Sequence, residues 1–179
     1  MADSSVGKQA EKKIKDWLDR PEEGYCFDRI PDQMTGFYGS TNISDFILYK
    51  KPYMYYIESK ATYADRFDFS MLTDKQFNGM LEKSKLDGVY GFVIVLFATY
   101  KRAFILDIQD IAKCKEDGKK SLNITRIKEW TIPYREIKTV PNTRKLLLDY
   151  DKSDSIIVDD NDNNWSYNKV IQREVKQIR

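Results

Sequence analysis

Three side chains have the types and spacing to do chemistry together: Asp45, Glu58 and Lys60. Glu58 and Lys60 stand two residues apart in YYIESKAT, residues 55–62. That run is rich in Tyr and Ile, which favour a pleated, half-buried surface. Strand side chains alternate between faces, so Tyr56, Glu58 and Lys60 share one side, and Tyr55, Ile57 and Ser59 take the other. On an exposed strand end this is an ordinary ion pair, contributing about 0–1 kcal/mol. Asp45 changes the reading. SDFILYK (44–50) and YMYYIESKAT (53–62) flank Lys51-Pro52 and read as a hairpin. In an antiparallel pair the start of one strand faces the end of the other. Asp45 and Glu58 therefore converge at one sheet edge, with Lys60 beside them. Two carboxylates and a lysine desolvated at one point are costly without compensation, which a divalent cation provides. Asp45, Glu58 and the backbone carbonyl of Ser59 would bind Mg²⁺ or Mn²⁺ through oxygen. Lys60 would orient or deprotonate a water, or stabilise charge on a phosphate.

Composition narrows the chemistry in the same direction. The chain has no histidine, which excludes a Ser-His-Asp triad, a Cys-His dyad, a His-based zinc hydrolase and an HNH-type nuclease with a histidine base. Cys26 and Cys114 are too few for a thiolate zinc site and imply no disulfide framework. Hydrolysis would have to run on carboxylates, lysine, tyrosine and a hard metal ion. The formal charge of +2 is uneven. Residues 151–179 carry five basic and six acidic side chains, which leaves +3 on residues 1–150. That mild basicity permits a polyanionic partner without demanding one. The 12 tyrosines suit stacking and core packing equally. The start, MADSSVGKQAEKK, goes straight into charged residues without an apolar signal region. The longest apolar run, FVIVLFA (92–98), is far too short to span a bilayer as a helix. No membrane association and a cytoplasmic location are expected.

The elements that must position the three residues follow from periodicity. Ala10, Ile14, Trp17 and Leu18 recur at helical spacing over residues 5–20. A short strand follows at YCFDRI, then a Gly/Thr/Asn-rich loop over 31–42. After the hairpin, residues 72–88 predict a helix ending at Gly88, and 89–100 a strand covered on both faces. RAFILDI (102–108) is a further strand, IQDIAKCKEDG a short helix and SLNITRIKEW (121–130) another. The tail WSYNKVIQREVKQIR is read as helical. The expected fold class is α/β, a central mixed β-sheet flanked by helices. One domain is expected over 1–150, with an acidic loop and C-terminal extension over 151–179.

Asp45 followed by Glu58-Ser59-Lys60 resembles the core of the PD-(D/E)XK nuclease superfamily. The chain as a whole resembles the RecU-type Holliday junction resolvases of Gram-positive bacteria and their phages. GKQAEKKI resembles that family's first helix with its glutamate, here Glu11. STNISDFILYKKPYMYYIESKAT resembles its aspartate hairpin and catalytic strand, and LTDKQFNGM the helix carrying a glutamine, here Gln76. GFVIVLFATYKRAFILDIQDI resembles the strand pair and helix that follow, and GKKSLNI a later turn. The resemblance runs in order over roughly residues 5–125. It implies a restriction-endonuclease-like core and Mg²⁺- or Mn²⁺-dependent phosphodiester hydrolysis, leaving 5′-phosphate and 3′-hydroxyl ends. It implies a homodimer acting on branched or four-way DNA in recombination and repair, in a bacterial cell or a phage-infected host. Asp45 and Glu58 would be metal ligands, Lys60 the catalytic lysine, Glu11 a supporting acid, and Gln76 a residue that holds the site or contacts the DNA backbone. Two features depart from the family. Asp45 is followed by Phe46-Ile47-Leu48 where the family has Tyr and then Gly. The long stalk has only DRIPDQMTGFYGSTNI as its counterpart.

Further candidates come from the residues themselves. Phe37 and Tyr38, between Gly36 and Gly39, would stack on bases or wedge a junction, or else pack back on their own domain. Lys50, Lys51, Lys75, Arg66 and Lys83 are candidate phosphate contacts, or ordinary surface cations. DDNDNN lacks the spacing and terminal glutamate of a calcium-binding loop. Two other functions remain open at this stage: a nuclease of the same superfamily with a non-junction target, restriction-like or replication-associated, and a non-cleaving DNA-binding protein.

Overall fold

The computed structural model describes residues 4–19, 23–31, 42–137, 139–141 and 146–148. Phe37, Tyr38, the acidic segment and the C-terminal extension lie outside the described residues.

Helix α1 (Ser4–Leu18) is followed by strands β1 (Tyr25–Arg29), β2 (Phe46–Lys50), β3 (Tyr53–Thr62) and β4 (Arg66–Asp68). Helix α2 (Asp74–Lys83), strands β5 (Val89–Phe97) and β6 (Arg102–Asp107) and helix α3 (Ile108–Glu116) come next, then β7 (Ser121–Asn123) and β8 (Arg135–Ile137). Six strands form one sheet in the order β1-β2-β3-β5-β6-β8. All neighbours are antiparallel except β3 and β5, which run parallel. The parallel pair requires a crossover, and α2 supplies it. The sheet is mixed and flanked by helices, the α/β architecture expected.

Each face carries its own core. Val6, Ala10, Ile14 and Trp17 recur every three to four residues along α1 and bury against Phe46, Leu48, Tyr55, Ile57, Phe92 and Ile94. On the other face Phe77 and Met80 of α2 and Ile108, Ile111 and Cys114 of α3 cover Val93, Val95, Phe104 and Leu106. Strand β5 thus buries alternate side chains into both cores, as its unbroken apolar run predicts.

The β2–β3 register is set by the turn at Lys51-Pro52, whose peptide bond is cis. It pairs Lys50 with Tyr53 and Phe46 with Ile57. Helix α2 ends at Lys83, five residues before Gly88, with turns in between. The helix expected over 121–130 is instead strand β7 followed by a 3₁₀ segment, Ile124–Glu129, kinked at Arg126. Two local causes act there. Leu122 pairs with Phe67 of β4, which draws residues 121–123 into a ribbon. The Asn123 side chain then accepts from the Thr125 N–H and caps a short turn. Among the described residues no helix is long and apolar enough to cross a membrane.

Candidate active site

Asp45 stands immediately before β2, tied on both sides by backbone bonds. Its carbonyl accepts from the Ile30 N–H at 2.8 Å, and its own N–H donates to the Ile57 carbonyl at 3.1 Å. The register that sets Phe46 opposite Ile57 sets Asp45 opposite Glu58. The Asp45 carboxylate accepts from the Ser59 N–H at 2.8 Å, so the two strand ends are latched through the candidate ligand itself. The convergence read from the hairpin is therefore the one the structure has.

Glu58 is 1% exposed. Its Oε1 receives the Lys60 ammonium at 2.7 Å and the Gln76 Nε2 at 2.6 Å. Among the described residues its Oε2 is buried without a hydrogen-bond partner. Burial is the main reason the Glu58 carboxyl is pushed up to about 8. The Asp45 charge pushes the same way, Lys60 opposes through its charge and hydrogen bond, and Glu11 adds a smaller rise. A buried carboxyl with a bare oxygen beside a second carboxylate is destabilised until a cation arrives. That arrangement fits a hard divalent ion, and the donors on hand are all oxygen. Among the described residues no three His, Cys, Asp or Glu side chains gather as a metal cluster. The two carboxylates would need the Ser59 carbonyl, water or phosphate to complete the shell. Ser59 itself turns its hydroxyl to the opposite face, where Oγ is buried without a partner among the described residues.

Lys60 and Glu58 face α2, whose first turn supplies Gln76. Gln76 Oε1 accepts from the Lys60 ammonium at 3.2 Å and from the Thr73 N–H at 3.0 Å. The Gln76 N–H donates to Thr73 Oγ1 at 3.2 Å, which completes a capping box at the start of the helix. Gly79 explains how α2 comes so close. A Cβ there would lie 2.5 Å from Ile43 Cγ2, two residues before Asp45. Glycine inside a helix costs up to about 1 kcal/mol relative to alanine, and close approach is the reason to accept it.

The remaining candidates are spread more widely. Glu11 lies on α1 and pairs with Arg29 of β1 at 2.8 Å, near enough for its charge to act on Glu58. Lys75 is exposed beside Gln76 on α2. Lys50 and Lys51 sit at the turn end of the hairpin, and at about 3.3 Å per residue Lys50 is roughly 17 Å along the strand from Asp45. The structure does not bring those two lysines to the carboxylates. It sets Arg66, a candidate from the sequence, beside three lysines that the sequence does not single out, Lys115, Lys119 and Lys120. A cleft of about 670 Å³ beside the first turn of α2 is lined by Arg66, Lys115, Lys119 and Lys120, with Asp68 and Asp74. Thr73 and Gly79 also escaped the sequence reading, although T-x-x-Q before a helix and a mid-helix glycine were signals for both.

The profile of the family described as Recombination protein U matches residues 30–152, a span that contains the hairpin, the Gln76 helix and the central strands. The chain belongs to the RecU family. RecU proteins are Holliday junction resolving nucleases, so this RecU chain is an endonuclease of that class, and its family is generally dependent on a divalent metal. Among solved structures the chain is similar to Hjc of Archaeoglobus fulgidus, a Holliday junction resolvase from an archaeal hyperthermophile. That likeness has a TM-score of 0.42 at 14% identity, and covers 57% of this chain and 78% of that one. No curated protein sequence matches the chain.

Proposed function

We propose that Asp45, Glu58 and Lys60 form the hydrolytic centre with which this RecU chain cuts a four-way DNA junction. The observation that carries the reading is the buried, unpartnered Oε2 of Glu58 opposite Asp45. Asp45, Glu58 Oε2 and the Ser59 carbonyl would hold Mg²⁺ or Mn²⁺. When bound, the ion supplies Lewis-acid stabilisation of the charge that develops on the scissile phosphate. Lys60 has three ammonium hydrogens. Glu58 Oε1 and Gln76 Oε1 take two of them. The third is left to hold the attacking water or a phosphate oxygen, with the ammonium already oriented before substrate arrives. In-line attack by water leaves a 5′-phosphate and a 3′-hydroxyl. Glu11 adds negative charge near the metal site from the α1 side.

The DNA would lie across the edge where β3 meets α2. The cleft with Arg66, Lys115, Lys119 and Lys120 adjoins the first turn of α2 and carries four cations against two acids, with Arg66 paired to Asp68 at 3.2 Å. It suits a sugar–phosphate backbone. A homodimer, with one centre for each of two scissile strands, matches the two-fold symmetry of a junction. Such an enzyme works in the cytoplasm of a bacterial cell or of a phage-infected host.

The test is cleavage of a labelled mobile four-way junction beside linear duplex, in Mg²⁺, Mn²⁺ or EDTA, for wild type and Glu58→Ala. Paired symmetric nicks on the junction, lost in EDTA and in the variant, are expected. Equal cutting of the duplex would discard junction selectivity, and cutting that survives Glu58→Ala would overturn the centre.

A further inference from the structure

We propose that Thr73 is a positioning residue for this centre: its cap locks the Gln76 amide in the one orientation that serves both Lys60 and Glu58. The proposal rests on the reading of Asp45, Glu58 and Lys60 as the hydrolytic centre.

A side-chain amide has an acceptor end and a donor end, and the two are not interchangeable. The Thr73 N–H fixes the acceptor end by donating to Gln76 Oε1 at 3.0 Å. The Gln76 N–H donates to Thr73 Oγ1 at 3.2 Å and holds the backbone of the turn in place. Oε1 is then set to accept from the Lys60 ammonium at 3.2 Å, and Nε2 to donate to Glu58 Oε1 at 2.6 Å. Rotating the amide by half a turn would set Nε2 against two donors and Oε1 against a carboxylate. The cap therefore forbids the orientation that would break the site.

The identity of residue 76 points the same way. A capping box accepts Glu or Gln equally at this position, because only an acceptor oxygen is needed. The helix end alone gives no reason to choose the amide. Glu58 does, because a glutamate at 76 would set a third negative group against it. Gln76 satisfies the helix with its oxygen and the active site with its nitrogen. The result for Glu58 is asymmetric: Oε1 holds two donors and Oε2 is left bare.

Thr73→Val keeps the β-branched shape but removes the hydroxyl that holds the turn, so the N–H it retains is no longer held against Gln76 Oε1. Thr73→Ser keeps the hydroxyl. Asp107→Ala is the control for cap loss as such. Asp107 caps α3 by accepting from the Gln109 N–H at 2.8 Å, on a different helix from Gln76. The measurement is single-turnover cleavage of saturating four-way junction, with junction affinity and melting temperature for each variant. Thr73→Val is expected to cut about tenfold more slowly at unchanged junction affinity. Thr73→Ser is expected to cut like wild type, and Asp107→Ala to lose melting temperature without losing rate. Full cleavage by Thr73→Val, or equal rate losses in Thr73→Val and Asp107→Ala, would overturn the proposal. If Lys60→Ala also cut like wild type, the hydrolytic centre itself would be wrong, which is a separable result.

Discussion

The two faces of β3 are built on opposite terms. Toward α1 the strand presents Tyr55, Ile57 and Ala61, all in the apolar core under the helix. Toward α2 it presents Tyr56, Glu58 and Lys60, of which the last two are charges drawn in beside a glutamine. One face gains stability from the apolar side chains it buries, with the Ser59 hydroxyl as its polar exception. The other buries a carboxyl at a cost and leaves one of its oxygens bare. A strand able to carry such a cost needs the first face to be well packed, so the two faces should fail in different ways.

The sharpest separation is chemical. Asp45→Asn and Lys60→Ala should lower junction cleavage by at least about 1000-fold while junction binding, measured by gel shift, stays near wild type. Unfolding of either variant would make those residues structural instead. The opposite face should show the reverse. Ile57→Ala should cost about 2–5 kcal/mol of stability by denaturant titration, with near-normal cleavage per folded molecule.

A subtler effect concerns Glu58 without metal. Its carboxyl, at about 8, lies above the ordinary carboxylate range. Between that range and about 8 the folded chain holds a proton that the unfolded chain has lost. Stability of the metal-free protein should therefore fall as pH rises through this window. Glu58→Gln should flatten the fall and raise the melting temperature in EDTA more at pH near 9 than near 5. A variant less stable at both would mean that the carboxylate supports the fold. The smallest effect belongs to the basic cleft. Lys115→Ala and Lys120→Ala should each reduce the salt slope of junction binding by about one, with cleavage at saturation unchanged. Unchanged slopes would place the DNA elsewhere.

The legible part of the site was the part governed by period two. A hairpin with a short turn fixes its register, and register alone brings Asp45 to Glu58 and puts Lys60 on the Glu58 face. Lys50 and Lys51 are candidates by charge alone, and charge carries no direction along a strand. Gln76 entered through resemblance, but its partners depend on how far α2 descends onto the sheet, a packing quantity set by Gly79 against Ile43. The misread stretch at 121–130 is instructive for its brevity. Strands β4 and β7 have three residues each, too few to show a period, and they exist because they find each other 55 residues apart.

The absent side chain at Gly79 also sets a mechanical property of the molecule. Because α2 rests on the Ile43 side chain with no room for a methyl group, the helix backbone lies directly on that isoleucine, two residues before Asp45. The separation between Gln76 and the Asp45–Glu58 pair is thus gauged by one packed isoleucine, and close-packed interiors compress little. The spacing across which Gln76 meets Lys60 and Glu58 is in that sense a tolerance of the scaffold, set where no side chain stands.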